Sequence, residues 1–450
     1  MKLVLTHGYF LADDSKELEI MRPYPTLGLL YISSYLKAAG KDVTIVDSTF
    51  LTKADWKAEL MELQPQLVAF YSNLMTKLNV LELNTWLKSE LPETVTIVGG
   101  PDVTYNIEHY LNAGFDFTIS GEGEQTVLEL SNAIEQQLPV SEIQGIAYKT
   151  DNGEIVCNEA RTKIKELETL PFPDRGSIPI EKYLDVWKKH HGKRTLNIST
   201  QRGCPYTCKW CSTAVYGQSY RRNDPKHVVA EILDLKARFD VEALWFVDDV
   251  FTVSHKWIAD LHAEFKQHNL IIDFECITRA ERLNDTVLQQ LKEMGCFRIW
   301  IGAESGSQRV IDRMDRRVSL ETVQTTMQQT RALGMEAGTF IMVGYPGEEL
   351  EDIQQTMEHI KACNPHLLTI TKAYPIKGTG LYAEIEDEIT TVLDWQKSTD
   401  RDIRFSLPYS DKFYNYSIRY LVNGWLAHRD QSLKHRLKSK VALALMKWNK

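Results

Sequence analysis

No apolar run in the 450 residues approaches the roughly 20 needed to span a bilayer, so a membrane-spanning helix is not expected. The opening Met1-Lys2-Leu3-Val4-Leu5-Thr6-His7 carries too short an apolar stretch for a secretory signal. Positive charge is not in excess either. A formal net charge of −9 argues against a dedicated nucleic-acid binder, which carries a strongly basic domain. The seven cysteines are an odd number spread thinly along a long chain, which excludes a disulfide framework and fits a reducing compartment. Solenoid-length repeats and low-complexity tracts are absent. What is present, 43% hydrophobic and 25% charged residues, is the composition of a folded chain. The expectation is a cytoplasmic enzyme of roughly two to four domains.

Residues 1–140 alternate short apolar runs with helical patterns. Leu3–Thr6, Val43–Asp47, Leu67–Ser72, Val95–Gly99 and Phe117–Ser120 are mostly aliphatic, β-branched or aromatic, the mark of strands buried on both faces. Thr26–Ala39, stopped by Gly40, and Gln125–Gln136 read as helices. Such alternation predicts a Rossmann-like, doubly wound parallel sheet. Ligands in that fold bind beyond the carboxyl ends of the strands, so the loops at His7, Asp47, Ser72, Gly99 and Gly121 are the ones to watch.

Residues 141–190 read as a hairpin and linker. Ile146–Lys149 and Glu154–Cys157 flank Asn152-Gly153, a tight-turn dipeptide, and Leu170-Pro171-Phe172-Pro173-Asp174 is an extended connector. A second alternating series fills residues 191–385. Its strands are Thr195–Ser199, Ala243–Val247, Phe274–Thr278, Arg298–Ala303, Glu336–Val343 and His366–Ala373. Its helices include Val228–Phe239, Asn284–Met294, Leu320–Leu333 and Leu350–Cys363. Six strand–helix units predict a partial β/α barrel with its site at the strand C-termini. Residues 386–450 read as a small helical region. Asp411–Lys450 holds nine Lys/Arg against two Asp/Glu, with Phe413, Tyr414, Tyr416, Tyr420 and Trp425 ahead of the basic end. An amphipathic cap with a solvated basic face is the first reading, and contact with a membrane surface or an anionic substrate the alternative.

Three cysteines fall within eight residues, in Arg202-Gly203-Cys204-Pro205-Tyr206-Thr207-Cys208-Lys209-Trp210-Cys211, just after the first strand of the second series. Three thiolates on a short turning loop ligate three irons of a [4Fe–4S] cluster and leave the fourth open to an exogenous ligand. A zinc site is the alternative, but it requires a fourth Cys or His, and His190, His191 and His227 are not in a recognised zinc spacing. Cys157, Cys276, Cys296 and Cys363 read as packed or incidental thiols.

The C-x3-C-x2-C spacing, with an aromatic before the last cysteine and a β/α barrel around it, resembles the radical S-adenosylmethionine (SAM) superfamily. The resemblance implies that Cys204, Cys208 and Cys211 hold the cluster, that its open iron chelates SAM, and that Trp210 flanks cluster and adenine. Asp248 or Asp249, in Phe246-Val247-Asp248-Asp249-Val250-Phe251, would accept from the SAM ammonium, although the family's usual Gly-Gly-Glu is absent there. Arg279 would pair with the SAM carboxylate, Glu304 and Ser305 of Gly302-Ala303-Glu304-Ser305 would meet the ribose, and Gly344 of Gly344-Tyr345-Pro346-Gly347 would turn beside the adenine. Taken alone, Arg279 and the two aspartates read first as members of ordinary surface ion pairs, and their placement at successive strand ends brings the ligand-binding reading level with that one.

In the first unit, Met21-Arg22-Pro23-Tyr24-Pro25-Thr26-Leu27-Gly28-Leu29-Leu30-Tyr31, the strand ending at Asp47, Gly99-Gly100-Pro101 and Gly121-Glu122-Gly123-Glu124 together resemble the cobalamin-binding domain that precedes some radical SAM barrels. The branch with the anaerobic magnesium-protoporphyrin monomethyl ester cyclase is the most similar. This likeness implies that Ser72 and Leu74 contact the lower face or nucleotide tail of cobalamin and that Gly99, Gly100 and Glu122 line its site. Glycines at strand ends let a bulky planar ligand approach the backbone. The family's Asp-x-His-x-x-Gly is missing, so the cobalamin would have no protein histidine as lower ligand, and His7 reads first as a structural histidine. A doubly wound sheet that has lost its cofactor, or that binds substrate there, is the alternative.

These resemblances imply an oxygen-sensitive enzyme that reductively cleaves SAM and abstracts hydrogen from an unactivated C–H bond, for C-methylation in the first reading. They also imply an electron donor such as flavodoxin or ferredoxin and a small-molecule substrate, flat or apolar if the aromatic tail contributes. Oxidative cyclisation or hydroxylation of a tetrapyrrole, a radical SAM isomerase or oxidoreductase without cobalamin, and a non-enzymatic iron–sulfur or corrinoid sensor are the alternatives.

Overall fold

The aliphatic runs at the head of the chain form strands buried on both faces. In the computed structural model, which describes residues 1–213, 215–391 and 393–450, they are β1 (Lys2–His7), β2 (Asp42–Val46), β3 (Leu67–Tyr71), β4 (Val95–Gly99) and β5 (Phe117–Ile119). They run parallel in the order β2-β1-β3-β4-β5. The order reverses at β1, so the ends of β1 and β3, level at His7 and Tyr71, flank a topological switch point. Helices Leu27–Ala38, Lys53–Leu63, Lys77–Glu90 and Ile107–Asn112 supply the crossovers, and Gly123–Gln136 follows β5. Lys53–Leu63 starts at a capping box between Thr52 and Asp55 and presents Trp56 to the core. There the Trp56 ring packs among Val4, Val68, Phe70 and Leu83, and its indole N–H donates to Thr6 Oγ1 over 2.8 Å. A buried tryptophan needs that partner.

The hairpin β6 (Ile146–Lys149) and β7 (Ile155–Cys157) turns at Asn152-Gly153, where Gly153 has φ +85°, and it adds two antiparallel strands to the β5 edge. The parallel sheet expected from the pattern therefore carries an antiparallel margin. These elements belong to the first of two units, Met1–Pro205, Ser212–Glu242 and Val392–Asp402. The same unit contains β8 (Thr195–Ile198) and a short antiparallel ribbon of β9 (Gln201–Arg202) and β10 (Arg221–Arg222), which brackets the cysteine motif in sequence. Below β8 lies the Arg175–Glu231 ion pair at 2.7 Å, both residues at 1% exposure, with Arg175 also donating to the Asn197 carbonyl.

The second unit comprises Tyr206–Cys211, Ala243–Thr391 and Ile403–Lys450. Its strands β11 (Ala243–Phe246), β12 (Asp273–Thr278), β13 (Cys296–Glu304), β14 (Glu336–Val343) and β15 (Leu367–Lys372) pair in chain order, all parallel. Helices His255–Gln267, Asp285–Met294, Leu320–Ala332 and Leu350–Cys363 connect them, three started by the side-chain caps Ser254, Asn284 and Ser319. This is the strand–helix succession of a partial β/α barrel. Gly338 makes room on β14 for Trp300, whose ring carbon would lie 2.6 Å from a Cβ there. Two helices, Asp411–Arg429 and Leu433–Trp448, form the basic C-terminal region. Among the described residues no helix is long and apolar enough to cross a membrane.

Candidate functional site

Gly203 opens the cysteine motif at φ +81°, and a Cβ there would meet the Ser219 carbonyl oxygen at 2.5 Å. Only glycine tolerates both demands. The loop Tyr206–Cys211 is held at its middle from both sides: the Lys209 N–H donates to the Met314 carbonyl over 3.1 Å, and the Lys209 carbonyl accepts from the Leu381 N–H over 2.8 Å. The Cys211 N–H closes a turn onto the Cys208 carbonyl at 3.1 Å. Trp210 lies half-buried against Val310, Met314, Tyr345, Leu381 and Ile385. Cys204 and Cys208 are half-buried and Cys211 exposed. Among the described residues no group of three His, Cys, Asp or Glu side chains is placed to hold a metal ion, and the motif is a thiol-bearing turn anchored at Lys209. Its donor set is soft and lacks the fourth ligand that closes a zinc tetrahedron, which suits a cluster with one open iron.

Arg279, just past β12, brings Nη1 to 3.2 Å from Cys208 Sγ while its guanidinium sits 4.0 Å over the Tyr206 ring. It also binds the Glu281 carboxylate and the Arg316 carbonyl. Arg316, 4% exposed, donates to the Gly302 carbonyl over 2.9 Å, yet its Nε and Nη1 have no hydrogen-bond partner, nor does Glu281 Oε2. Buried, unsatisfied charged groups are costly, so these strand ends keep polar capacity that a zwitterionic ligand would satisfy. Glu304 ends β13 at φ +64°, a left-handed backbone rare outside glycine. Burial pushes its carboxyl up to about 7, against the pull of Arg316 and then Arg279. Arg316 escaped sequence reasoning because nothing in Asp315-Arg316-Arg317 distinguishes it from a surface cation.

The other barrel positions divide. Asp248 is buried and Asp249 exposed after β11. Ser305 is fully buried and its hydroxyl faces Thr356 and the Ser307 N–H, in the contact with helix Leu350–Cys363. Gly344 turns at φ +78° and its N–H donates to Glu348 over 2.6 Å. Glu348, 1% exposed, was not foreseen, and burial pushes its carboxyl up to about 8.

In the first unit, a cavity of about 260 Å³ lies at the switch point, lined by His7, Tyr9, Arg22, Tyr24, Tyr71 and Asn73 among others. His7 does not offer a ligand to it. Its Nε2 is 3.0 Å from Asp47 Oδ1, and its Nδ1 accepts the Tyr9 N–H at 3.2 Å with Ser48 Oγ at 2.9 Å. A backbone N–H can only donate, so Nδ1 is the acceptor and Nε2 carries the proton toward Asp47. The residues at the switch point thus fit a cobalamin tail with no protein histidine on cobalt.

Ser72 is buried and hydrogen-bonds Tyr110 Oη at 2.7 Å, which donates in turn to Asp102, while Leu74 is half-buried on the following loop. Gly99 accepts the Ser72 N–H at 2.8 Å, and Gly100 has φ +119° with a would-be Cβ 2.2 Å from the Ser72 carbonyl oxygen. The close approach that Gly100 permits is that of the β3 and β4 ends to each other, whereas a Cβ at Gly99 would only touch Ile119 at 3.5 Å. Glu122 is occupied as well: it binds Arg202 Nη1 at 2.7 Å, Arg221 at 2.8 Å and the Ile164 N–H, and Glu124 takes Arg202 Nη2 at 2.5 Å. Burial works against the Arg202 charge, but the Glu124 carboxylate raises its pKa above the ordinary value.

The family model of the radical SAM superfamily matches residues 198–360, and that of the B12 binding domain matches residues 19–131. An uncharacterized methyltransferase of Pyrococcus horikoshii is 27% identical over 385 residues, 84% of this chain and 82% of the relative. The anaerobic magnesium-protoporphyrin IX monomethyl ester cyclase of Rubrivivax gelatinosus is 27% identical over 396 residues, 84% of this chain and 69% of the relative. Among solved structures, the radical SAM methyltransferase TsrM of Kitasatospora setae, with cobalamin and a [4Fe-4S] cluster bound, superposes with a TM-score of 0.70. That likeness, at 17% identity over 86% of this chain and 75% of TsrM, is one of fold.

Proposed function

From a chain that carries a B12-binding domain and a radical SAM domain, we propose a cobalamin-dependent radical SAM enzyme that alkylates an unactivated carbon, with C-methylation as its reaction. The observation that carries this reading is the pinned Cys204–Cys211 turn with the Arg279 guanidinium at the Cys208 sulfur. Bound there, the cluster would supply the electron for reductive cleavage of SAM and hydrogen abstraction, and cobalamin would supply methyl-transfer chemistry. Cys204, Cys208 and Cys211 would hold the cluster. Trp210 would shield it on one side. Arg279, with Arg316 beside it, would bind the SAM carboxylate; Asp248 or Asp249 would take the ammonium, and Glu304, Ser305 and Gly344 would border the nucleoside. Ser72, Leu74, Gly99, Gly100 and Glu122 would frame the cobalamin at the switch point. Residues 1–140 would form the cobalamin domain, 141–190 the hairpin and linker, 191–385 the barrel and 386–450 the helical region.

The protein's work is to position these partners and exclude water, in a cytoplasmic setting with an electron donor of the flavodoxin or ferredoxin class and a small-molecule substrate. The methyltransferase relative supports C-methylation; the cyclase of Rubrivivax gelatinosus, similar over as much of the chain, supports oxidative cyclisation as a second reading. Anaerobic reconstitution with iron, sulfide and hydroxocobalamin tests the proposal. Retained corrinoid after gel filtration, acid-labile sulfide, and 5′-deoxyadenosine formed from SAM and dithionite are expected, with Cys208→Ala abolishing the last two. A colourless protein without labile sulfide overturns the reading. In a deletion strain grown without oxygen, a product lacking one methyl group supports methylation, and one lacking a ring supports cyclisation.

A further inference from the structure

Helix Leu433–Trp448 is packed on one face and apolar on the opposite one. Ser439, Ala442 and Met446 are buried, with Ser439 donating to the Tyr420 carbonyl over 3.0 Å and Met446 sulfur 3.0 Å from Ser417 Oγ. Gly424 on the neighbouring helix lies against Ser439, where an added Cβ would be 3.2 Å from Oγ, and against Met357, whose sulfur would be 2.5 Å away. At about 100° per residue, Leu433, Leu437, Val441, Leu445 and Trp448 fall on the other side of the same helix. They are exposed at 75%, 65%, 50%, 38% and 88%. Single exposed apolar residues need no explanation, but a contiguous stripe four turns long does.

The charges around the stripe say what covers it. The helix carries Lys434, Arg436, Lys438, Lys440 and Lys447, all exposed, and no carboxylate. By the same rotation, Lys438 borders the stripe on one side, with Lys434 inside that edge at the first turn, and Arg436, Lys440 and Lys447 border it on the other. An apolar stripe edged by cations on both flanks, with a tryptophan at its end, is the pattern of a helix lying in the plane of a lipid interface. The lysine stems run along the apolar boundary while their ammonium groups reach the headgroups. A second copy of the same face is disfavoured, because two such helices would bring only cations together. Nucleic acid would meet leucines where it needs its phosphates contacted.

We propose that helix Leu433–Trp448 docks the protein on an anionic lipid surface, parallel to it, with Leu437, Val441 and Trp448 in the acyl boundary and the flanking lysines on headgroup phosphates. The docking is peripheral and reversible, held jointly by apolar burial and by attraction of the cations to a charged leaflet, which salt screens.

Co-sedimentation of the full chain with vesicles tests this. Sedimented protein should rise roughly tenfold from phosphatidylcholine vesicles to equal mixtures of phosphatidylcholine and phosphatidylglycerol, and fall back as salt is raised. The exposed-site variant Leu437→Gln/Trp448→Ala should lose about tenfold in partitioning with unchanged circular dichroism. The charge variant Lys438→Glu/Lys440→Glu should lose the preference for phosphatidylglycerol. Equal binding to both vesicle types, or apolar variants that sediment like the parent, would overturn the proposal. So would a chain that is dimeric without lipid and becomes monomeric on Leu437→Gln, which would make the stripe a self-interface.

Discussion

Arg279 Nη1 stands 3.2 Å from Cys208 Sγ, a guanidinium donor at the central sulfur of the cysteine motif. Stacking on Tyr206 and the bond to the Arg316 carbonyl fix its plane, so the donor is oriented before any cluster assembles. Hydrogen bonds to ligand sulfurs raise a cluster's reduction potential. Replacing Arg279 by Gln should therefore move the potential in the negative direction and reduce cluster occupancy or deoxyadenosine formation by roughly 10- to 100-fold. Iron and sulfide analysis with an EPR-monitored redox titration reads both. An unchanged potential would limit Arg279 to contact with SAM.

The Arg202–Glu124 pair ties the loop after β5 to the residue two places before Cys204. Arg202→Met keeps the side-chain bulk and removes the charge. Glu122 would keep Arg221 and the Ile164 N–H, so the uncompensated buried carboxylate is chiefly Glu124. A loss of ~3 kcal/mol in unfolding free energy is expected, and Glu124→Gln in the same chain should restore part of it. Chemical denaturation of the two variants measures the difference.

Much of this architecture is legible in the sequence because strand and helix periods are local signals. Val95–Gly99, Ile146–Lys149, Glu336–Val343 and Leu350–Cys363 have the same bounds in the structure as in the pattern. The cysteine motif is legible because its spacing is chemistry in itself. What escaped is set by tertiary partners. Gly121-Glu122-Gly123-Glu124 reads as a ligand loop, yet its carboxylates meet Arg202 and Arg221, which are about 80 to 100 residues distant in sequence. The buried, partly satisfied Arg316 and the buried Glu348 look like surface charges until burial is known. The solvated basic face expected near the end is there, but the apolar stripe between its cations is a matter of which helix face the fold covers.

Gly100→Ala tests the strand-end approach. At φ +119°, with a new Cβ 2.2 Å from the Ser72 carbonyl oxygen, the backbone must move, at a cost of ~2–3 kcal/mol. Because Ser72 follows β3, whose end borders the switch point, corrinoid retention should fall together with the melting temperature. Gly121→Ala, which has φ +89° but nothing within 4 Å of the added Cβ, should cost less and is the control.

Glu348 should give the protein a pH-dependent stability of unusual sign. Its carboxyl, 1% exposed, is pushed up to about 8 chiefly by burial, with Asp352 adding to the rise and the Gly344 N–H and Arg309 opposing it. An acid whose pKa rises on folding binds its proton more tightly in the folded chain. The stability this confers is complete below the unfolded value of 4.5 and is lost as pH climbs from there through about 8. Glu304, raised to about 7, acts in the same direction over a narrower window. Unfolding free energy should thus decline between pH 5 and pH 8 with a slope of up to ~1.4 kcal/mol per pH unit from Glu348. Glu348→Gln keeps an oxygen to accept the Gly344 N–H and carries no charge at any pH, so its urea-denaturation midpoint should fall less over the same range. A variant whose midpoint tracks the parent's at each pH would show that Glu348 reaches water in the folded protein.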